Sequence, residues 1–195
     1  MGRAAGTARK QQLRIIGGSW RSRRLDFPDA PGLRPTADRV RETLFNWLQA
    51  EVVAADCLDL FAGSGACGLE ALSRGARSVT FVEKSPSVAA VLRNNLRLLA
   101  ADNAQLLVQD ALQALEQLAD GPRRAFDIVF LDPPYDSDLL FPACRALQEH
   151  DLLKPGARIF LESDKALSES ELPGDWELLK SRRAGMVHYA LCQNH

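Results

Sequence analysis

A doubly wound α/β sheet is the fold this sequence predicts, and three observations predict it. From Cys57 onward, strand-like and helix-like segments alternate, the pattern of parallel strands joined by crossover helices. Several strand segments are almost continuously apolar, Ile128-Val129-Phe130-Leu131 among them, as expected when helices cover both faces. The run from Asp59 to Phe61 passes into a glycine turn that opens a helix, the junction at which such sheets bind ligands.

In chain order, residues 1–12 read as a flexible basic tail, 13–36 as a hairpin with its connector, and 37–195 as the main domain. Leu13–Ile16, Gly17-Gly18 and Trp20–Leu25 predict a short hairpin with a glycine turn. Its second arm alternates Trp20, Ser22 and Arg24 against Arg21, Arg23 and Leu25. Arginines on both faces suit a ribbon exposed to polyanion better than a strand packed on a core. After the connector from Phe27 to Pro35, Thr36 or Asp38 is expected to cap a helix reaching about Ala50. Val40, Leu44, Trp47 and Leu48 share one face of it, and Arg39, Arg41 and Glu42 lie elsewhere. Strands are expected at 57–61, 78–83, 105–109, 127–131 and 157–162, with helices at 66–74, 86–99, 111–119 and about 141–149. Ser85 followed by Pro86 marks the start of the second of these helices. Segments 176–183 and 186–192 are separated only by Ala184-Gly185, so they close the sheet as an antiparallel hairpin.

The chain of 195 residues, 46% of them hydrophobic, suffices for one well-filled domain. Cysteines at 57, 67, 144 and 192 and histidines at 150, 188 and 195 lack metal-ligand or redox spacing, so no metal is expected. No apolar run approaches the roughly 18 residues of a membrane span, and no apolar stretch follows the basic start as in a secretory signal. The expectation is a soluble, cytoplasmic protein. Net charge is −1, but the first 24 residues carry seven basic side chains and no acid, leaving 17 basic against 25 acidic residues elsewhere. A basic arm on an acidic body fits a phosphate-bearing partner.

The glycine turn Asp59-Leu60-Phe61-Ala62-Gly63-Ser64-Gly65-Ala66-Cys67-Gly68 lets backbone approach a ligand closely, and Glu83, ending the next strand, is placed to accept from ribose hydroxyls. Taken alone the pattern also satisfies the dinucleotide fingerprint. Asp59 tilts the reading: an ionised carboxylate there repels a pyrophosphate but can engage the cationic or amino end of S-adenosylmethionine. Asp110, after the third strand, serves equally as an acceptor for the cofactor's adenine amine or as a helix cap.

Asp132-Pro133-Pro134-Tyr135 is more specific. Two prolines after a strand impose an extended, rigid backbone, leaving the Pro133 carbonyl beside the Asp132 carboxylate. Two fixed acceptors match the two hydrogens of an amino group, and Tyr135 offers a face on which a base can stack, worth about 1–3 kcal/mol. An aromatic amine is a poor nucleophile because its lone pair is delocalised into the ring. Accepting both hydrogens favours the pyramidal nitrogen and frees the lone pair for in-line attack on a methyl group.

With these residues in view, the chain resembles the amino-methyltransferases that carry an Asp/Asn-Pro-Pro-Tyr/Phe signature. More narrowly it resembles the family of bacterial 16S ribosomal RNA methyltransferases that modify the 2-amino group of guanine 966. Arg14-Ile15-Ile16-Gly17-Gly18 with Trp20, Leu33-Arg34-Pro35-Thr36 with Asp38-Arg39-Val40-Arg41-Glu42, the loop at 59–68 and Asp132–Tyr135 carry that resemblance, which runs from Arg14 to about Gln193. It implies a Rossmann-like, seven-stranded class I sheet with helices on both faces and an N-terminal β-hairpin extension. It implies S-adenosylmethionine held by Asp59, Phe61, Gly63, Ser64, Gly65, Glu83 and Asp110, and the target amine at Asp132, Pro133 and Tyr135. The partner it implies is small-subunit ribosomal RNA in an assembled or assembling 30S particle. The basic hairpin, with Arg14, Trp20, Arg21, Arg23 and Arg24, is assigned to RNA docking. Arg34, Thr36 and Arg39 are candidate substrate contacts at the mouth, although Thr36 as a cap and solvated arginines remain open.

Rival readings are an adenine-N6 or other nucleic-acid amino-methyltransferase, an NAD-dependent oxidoreductase, and a non-catalytic RNA-binding assembly factor. The small chain has no obvious separate domain for recognising a DNA sequence, and a dehydrogenase has no use for Asp132–Tyr135.

Overall fold

The computed structural model describes residues 11–27, 36–122, 125–135 and 137–195; residues 1–10 of the tail and 28–35 of the connector, Arg34 among them, lie outside them. A two-stranded ribbon, β1 (Gln11–Arg14) and β2 (Arg24–Phe27), precedes α1 (Asp38–Trp47). Then follow β3 (Asp56–Asp59), α2 (Ala66–Ser73), β4 (Ser78–Val82), α3 (Pro86–Leu98), β5 (Ala104–Leu107), α4 (Ala111–Asp120), β6 (Phe126–Leu131), α5 (Leu140–Glu149), β7 (Leu153–Ser163), β8 (Trp176–Ala184) and β9 (Val187–Asn194). The sheet has seven strands in the order β5-β4-β3-β6-β7-β9-β8. β3 to β7 pair in parallel, while β9 runs antiparallel to both β7 and β8. The strand order reverses between β3 and β6, and the crevice beyond their carboxyl ends is where this topology opens a ligand site.

Strand alternation explains the apolar runs. Ile128, Phe130 and Phe160 enter a core shared with α1, α2, α3 and the N-terminal ribbon. Val129, Leu131, Ile159 and Leu161 enter a second core under α4 and α5. Burial on both faces therefore consumes every residue of the run. Ser85 caps α3, its hydroxyl accepting from the Val88 amide at 3.5 Å, with Pro86 in the first position. Two expectations about α1 fail. Its N-cap is Ala37, which makes no side-chain cap bond, and the helix ends at Trp47 rather than Ala50. Thr36 points its hydroxyl elsewhere, and Asp38 is spent on arginines, Arg41 at 2.6 Å and Arg14 at 3.3 Å.

The N-terminal hairpin forms with a longer loop than the sequence suggests. Gln11 and Gln12, read as tail, pair with Phe27 and Asp26, whereas Trp20, Arg21 and Arg23 occupy the connecting loop rather than the second strand. The ribbon is no loose appendage, because Leu13, Ile15, Leu25 and Phe27 are buried in the first core. Its outer face sets Arg14 directly opposite Arg24, a like-charge pair that costs stability. The loop seats on the end of α2: the Ser19 amide donates to the Ser73 carbonyl at 2.7 Å and the Trp20 amide to the Ser73 hydroxyl at 3.0 Å. Gly18 permits this approach, since a Cβ there would lie 1.8 Å from the Ser73 oxygen.

Beneath the ribbon lies a buried ionic cluster. Glu70 and Arg41 side chains are both 0% exposed, with Oε2 3.6 Å from Nη1. Glu70 also accepts from the Ile16 and Gly17 amides, each at 2.8 Å, and from Arg74 Nε at 2.8 Å. Arg41 donates to the Arg14 carbonyl at 2.9 Å and to the Thr36 carbonyl at 3.2 Å. The sequence reading placed Arg41 off the core face; burial of the guanidinium is possible because these partners answer its charge and most of its donors, although Nη1 makes no hydrogen bond among the described residues. Glu70→Ala leaves two arginines and two amides without their shared acceptor. It is expected to lower unfolding stability by about 3–5 kcal/mol, seen as a lower urea midpoint.

Candidate active site

A cavity of about 650 Å³ opens at the carboxyl ends of β3, β4, β5 and β6. It gathers Asp59, Phe61, Gly63, Ser64, Glu83, Asp110, Asp132, Pro133 and Tyr135, nearly all of the residues the sequence nominated for cofactor and amine, together with Thr36. Gly65 does not line it. That glycine is the left-handed N-cap of α2, at φ 79°, where a Cβ would lie 2.6 Å from a Leu92 methyl. Its smallness serves the turn and the packing of α2 against α3.

Asp59 lies under the turn, 5% exposed, and its Oδ2 accepts from the Gly68 amide at 2.9 Å. A carboxylate thus already meets the first turn of α2, the place a dinucleotide fold keeps for pyrophosphate. Desolvation pushes the Asp59 pKa up to about 7, the Gly68 amide opposing and the nearby Glu83 charge assisting. Glu83 is pinned by two backbone amides, Gly63 at 2.9 Å and Ser85 at 2.6 Å, which fixes its carboxylate at the rim of the glycine turn. Asp110 is a helix cap: it accepts from the Leu112 amide at 3.1 Å and pairs with Lys84 at 3.3 Å. Beside it Gln109, a lining residue the sequence reading missed, buries an amide nitrogen that has no hydrogen-bond partner among the described residues.

This donor and acceptor set fits S-adenosylmethionine. A buried acid awaits a cation, a pinned acid can receive hydroxyls, and a cap carboxylate sits beside an orphaned amide nitrogen where a heterocycle needs partners.

Across the cavity, Thr36 resolves the choice left open by the sequence. Its hydroxyl donates to Asp132 Oδ2 at 3.0 Å and lies 3.7 Å from the Cys67 sulfur. Burial and the neighbouring Glu162 charge push Asp132 well above the ordinary carboxylate range, against the Thr36 hydrogen bond. Glu162 went unnoticed in the sequence, although it ends the apolar run of β7 much as Glu83 ends that of β4. It is 4% exposed, accepts from the Tyr135 hydroxyl at 2.7 Å, and buries its other oxygen without a partner among the described residues. Tyr135 itself is 41% exposed, so its ring is held by the hydroxyl while remaining accessible.

The basic candidates are not at the cavity. Arg14, Arg21, Arg23, Arg24 and Arg39 are exposed and Trp20 is half-buried, but none lines it. The loop bearing Arg21 and Arg23 rests at the Ser73 end of α2, whereas the cavity meets the Ala66–Cys67 end, roughly 10 Å away along the helix.

The family model described as Conserved hypothetical protein 95 matches residues 13–193. A relative from Haemophilus influenzae, Ribosomal RNA small subunit methyltransferase D, is 46% identical over 187 residues, 95% of each chain. The solved structure of putative methyltransferase yhhF from Escherichia coli superposes with a TM-score of 0.85 at 44% identity, covering 95% of this chain and 99% of that one. A more distant structure, SMU.776, a putative methyltransferase complexed with SAH, shares the fold. Its TM-score is 0.73 at 16% identity, over 99% of this chain and 57% of the other.

Because Asp59 titrates near 7 without a ligand, a cation beside it must displace a proton below that pH. The affinity for S-adenosylmethionine is therefore expected to rise about tenfold per unit as pH climbs toward 7, then level off. Calorimetry in buffers of different ionisation enthalpy should detect the released proton, and Asp59→Asn should flatten the profile.

Proposed function

The chain belongs to the Conserved hypothetical protein 95 family, and from that premise we propose that it transfers a methyl group from S-adenosylmethionine to the exocyclic 2-amino group of a guanine in small-subunit ribosomal RNA. The observation that carries this reading is a single cavity holding two kinds of partner. On one side are the acids and amide suited to the cofactor; on the other, Asp132, Pro133 and Tyr135. The relative's name supports ribosomal RNA of the small subunit as substrate. The choice of guanine follows the resemblance carried by Leu33–Thr36 and Asp38–Glu42.

The cofactor, when bound, supplies an electrophilic methyl group on a sulfonium. Asp59 faces that cationic portion, Glu83 accepts from the ribose, and Asp110 with Gln109 brackets the base. Thr36 fixes one oxygen of Asp132, orienting the carboxylate so that its other oxygen and the Pro133 carbonyl receive the two amine hydrogens. Ionised Asp132 then stabilises the positive charge that grows on the nitrogen, in a site whose low dielectric strengthens the effect. Glu162 holds the Tyr135 hydroxyl and thereby sets the ring on which the guanine stacks. Arg14, Arg21, Arg23 and Arg24 grip phosphates remote from the target nucleotide, and Arg34 and Arg39 are further candidate contacts to the RNA. The substrate is an assembled or assembling 30S particle in the cytoplasm; no helix among the described residues is long and apolar enough to cross a membrane.

The oxidoreductase reading loses its ground where Asp59 occupies the first-turn amide of α2.

Radiolabelled S-adenosylmethionine offered to small-subunit particles from cells lacking the activity should yield N2-methylguanosine at one position. Label on adenine or on DNA would discard the guanine assignment, and no transfer would discard the function. Asp132→Ala should cut transfer by about 10²–10³-fold while the cofactor dissociation constant stays unchanged. Since the Thr36 hydroxyl lowers the Asp132 pKa, Thr36→Val should move the rising limb of the rate–pH profile to higher pH.

A further inference from the structure

A cationic cluster on the last hairpin has no part in the site described so far. Lys180, Arg182 and Arg183 are all exposed, and no acid occurs between Leu178 and Gln193. Register fixes where they stand. Glu162 pairs with Tyr189 and Ser163 with His188 across β7 and β9; Tyr189 and His188 in turn pair with Arg182 and Arg183 across β9 and β8. The two arginines are therefore level with the carboxyl end of β7, the same edge of the sheet from which Asp132 and Tyr135 project. The turn beyond them continues past the last β7 pair by roughly two residues, about 7 Å, and its Met186 is 77% exposed. From β6 to β8 is three strand spacings, about 14 Å, a span covered by a few nucleotides of RNA.

The faces also agree. Arg182 shares its face with Tyr189, whose ring lies 5.6 Å from Trp47 of α1, and Lys180 sits 5.8 Å over the same Trp47 ring. Arg183 projects from the opposite face, its Nε held by the Gly185 carbonyl at 2.8 Å. A strand of polyanion crossing the end of the sheet meets guanidinium groups on both sides of the tip. The exposed acid following β7, Asp164, is immediately followed by Lys165.

We propose that the β8–β9 tip, through Arg182 and Arg183, is a docking surface for RNA phosphates flanking the target nucleotide. This rests on the RNA methyltransferase reading above. It gives the enzyme a phosphate contact at the catalytic edge, which the N-terminal loop, seated at the far end of α2, does not supply. Basic residues on an edge strand also prevent edge-to-edge pairing between copies, and the test separates that role from docking.

The experiment measures transfer to small-subunit particles, and binding of the same particles, across a salt series for the parent, Arg182→Gln/Arg183→Gln and Arg182→Lys/Arg183→Lys. The glutamine pair is expected to raise KM for particles several-fold. It should also reduce the slope of log affinity against log salt by about 1.4–1.8, two phosphate contacts. Cofactor affinity and urea midpoint should hold, and the lysine pair should keep most of the slope. A folded glutamine pair with parental KM and slope overturns the docking role, and self-association with parental slope leaves these residues as edge protection only. A parent that transfers no label to RNA overturns the function, and this inference with it, whereas an active parent with an unaffected variant overturns the inference alone.

Discussion

The buried contact between Glu70 and Arg41 is the constraint on which the arrangement of the site depends. Two charges removed from water recover their desolvation cost only through partners that answer them, and here those partners come from the ribbon and its loop, the start of α1 and the end of α2. Glu70 takes the amides of Ile16 and Gly17 from the ribbon loop, while Arg41 holds the carbonyls of Arg14 and Thr36. The pair thus fastens the ribbon to α1 and α2 and fixes the backbone of Thr36. Thr36 in turn holds Asp132. A continuous path of hydrogen bonds leads from an ion pair in the core to the carboxylate that meets the amine.

At the other end of that path, negative charge accumulates. Burial, with the charge of Glu83 nearby, raises the cost of ionising Asp59 on the cofactor side, and burial with the charge of Glu162 does the same to Asp132 on the base side. Such crowding destabilises the empty cavity. It is relieved by a ligand that brings positive charge, first the sulfonium and then the nitrogen that becomes cationic during transfer. The same burial and repulsion that make Asp59 and Asp132 hold protons in isolation make them respond most strongly to the charges of the reaction.

Much of this was legible in the sequence because it is local. Apolar runs marked β6 and β7, Ser85-Pro86 marked a helix start, an acid leading into the glycine turn marked Asp59, and acids at the ends of apolar strands marked Glu83 and Asp132. Glu162 obeyed the same rule at the end of Ile159-Phe160-Leu161 and could have been read by it. What escaped depends on partners distant along the chain. Arg41 looked like a solvated helix residue because Glu70 and the carbonyls that bury it cannot be seen from its own period. Thr36 resembled a cap, and only the return of β6 beside it shows a different acceptor. The placement of Arg21 and Arg23 depends on a loop docking onto Ser73, a contact no local pattern announces.

α1 ties these features together mechanically. At its first turn Asp38 joins Arg14 of the ribbon to Arg41, next to the Thr36 that orients Asp132. At its last turn Trp47 lies beneath Lys180 and against Tyr189 of the C-terminal hairpin. One helix of ten residues therefore touches both basic arms and directly follows the Thr36 that holds the acceptor of the reacting amine. Charge that costs the fold stability, such as Arg14 facing Arg24, is set on elements anchored to this helix rather than on free loops. A phosphate bound at either arm is consequently held at a fixed distance from the carboxylate, so that binding energy gained far from the chemistry is spent on positioning the base.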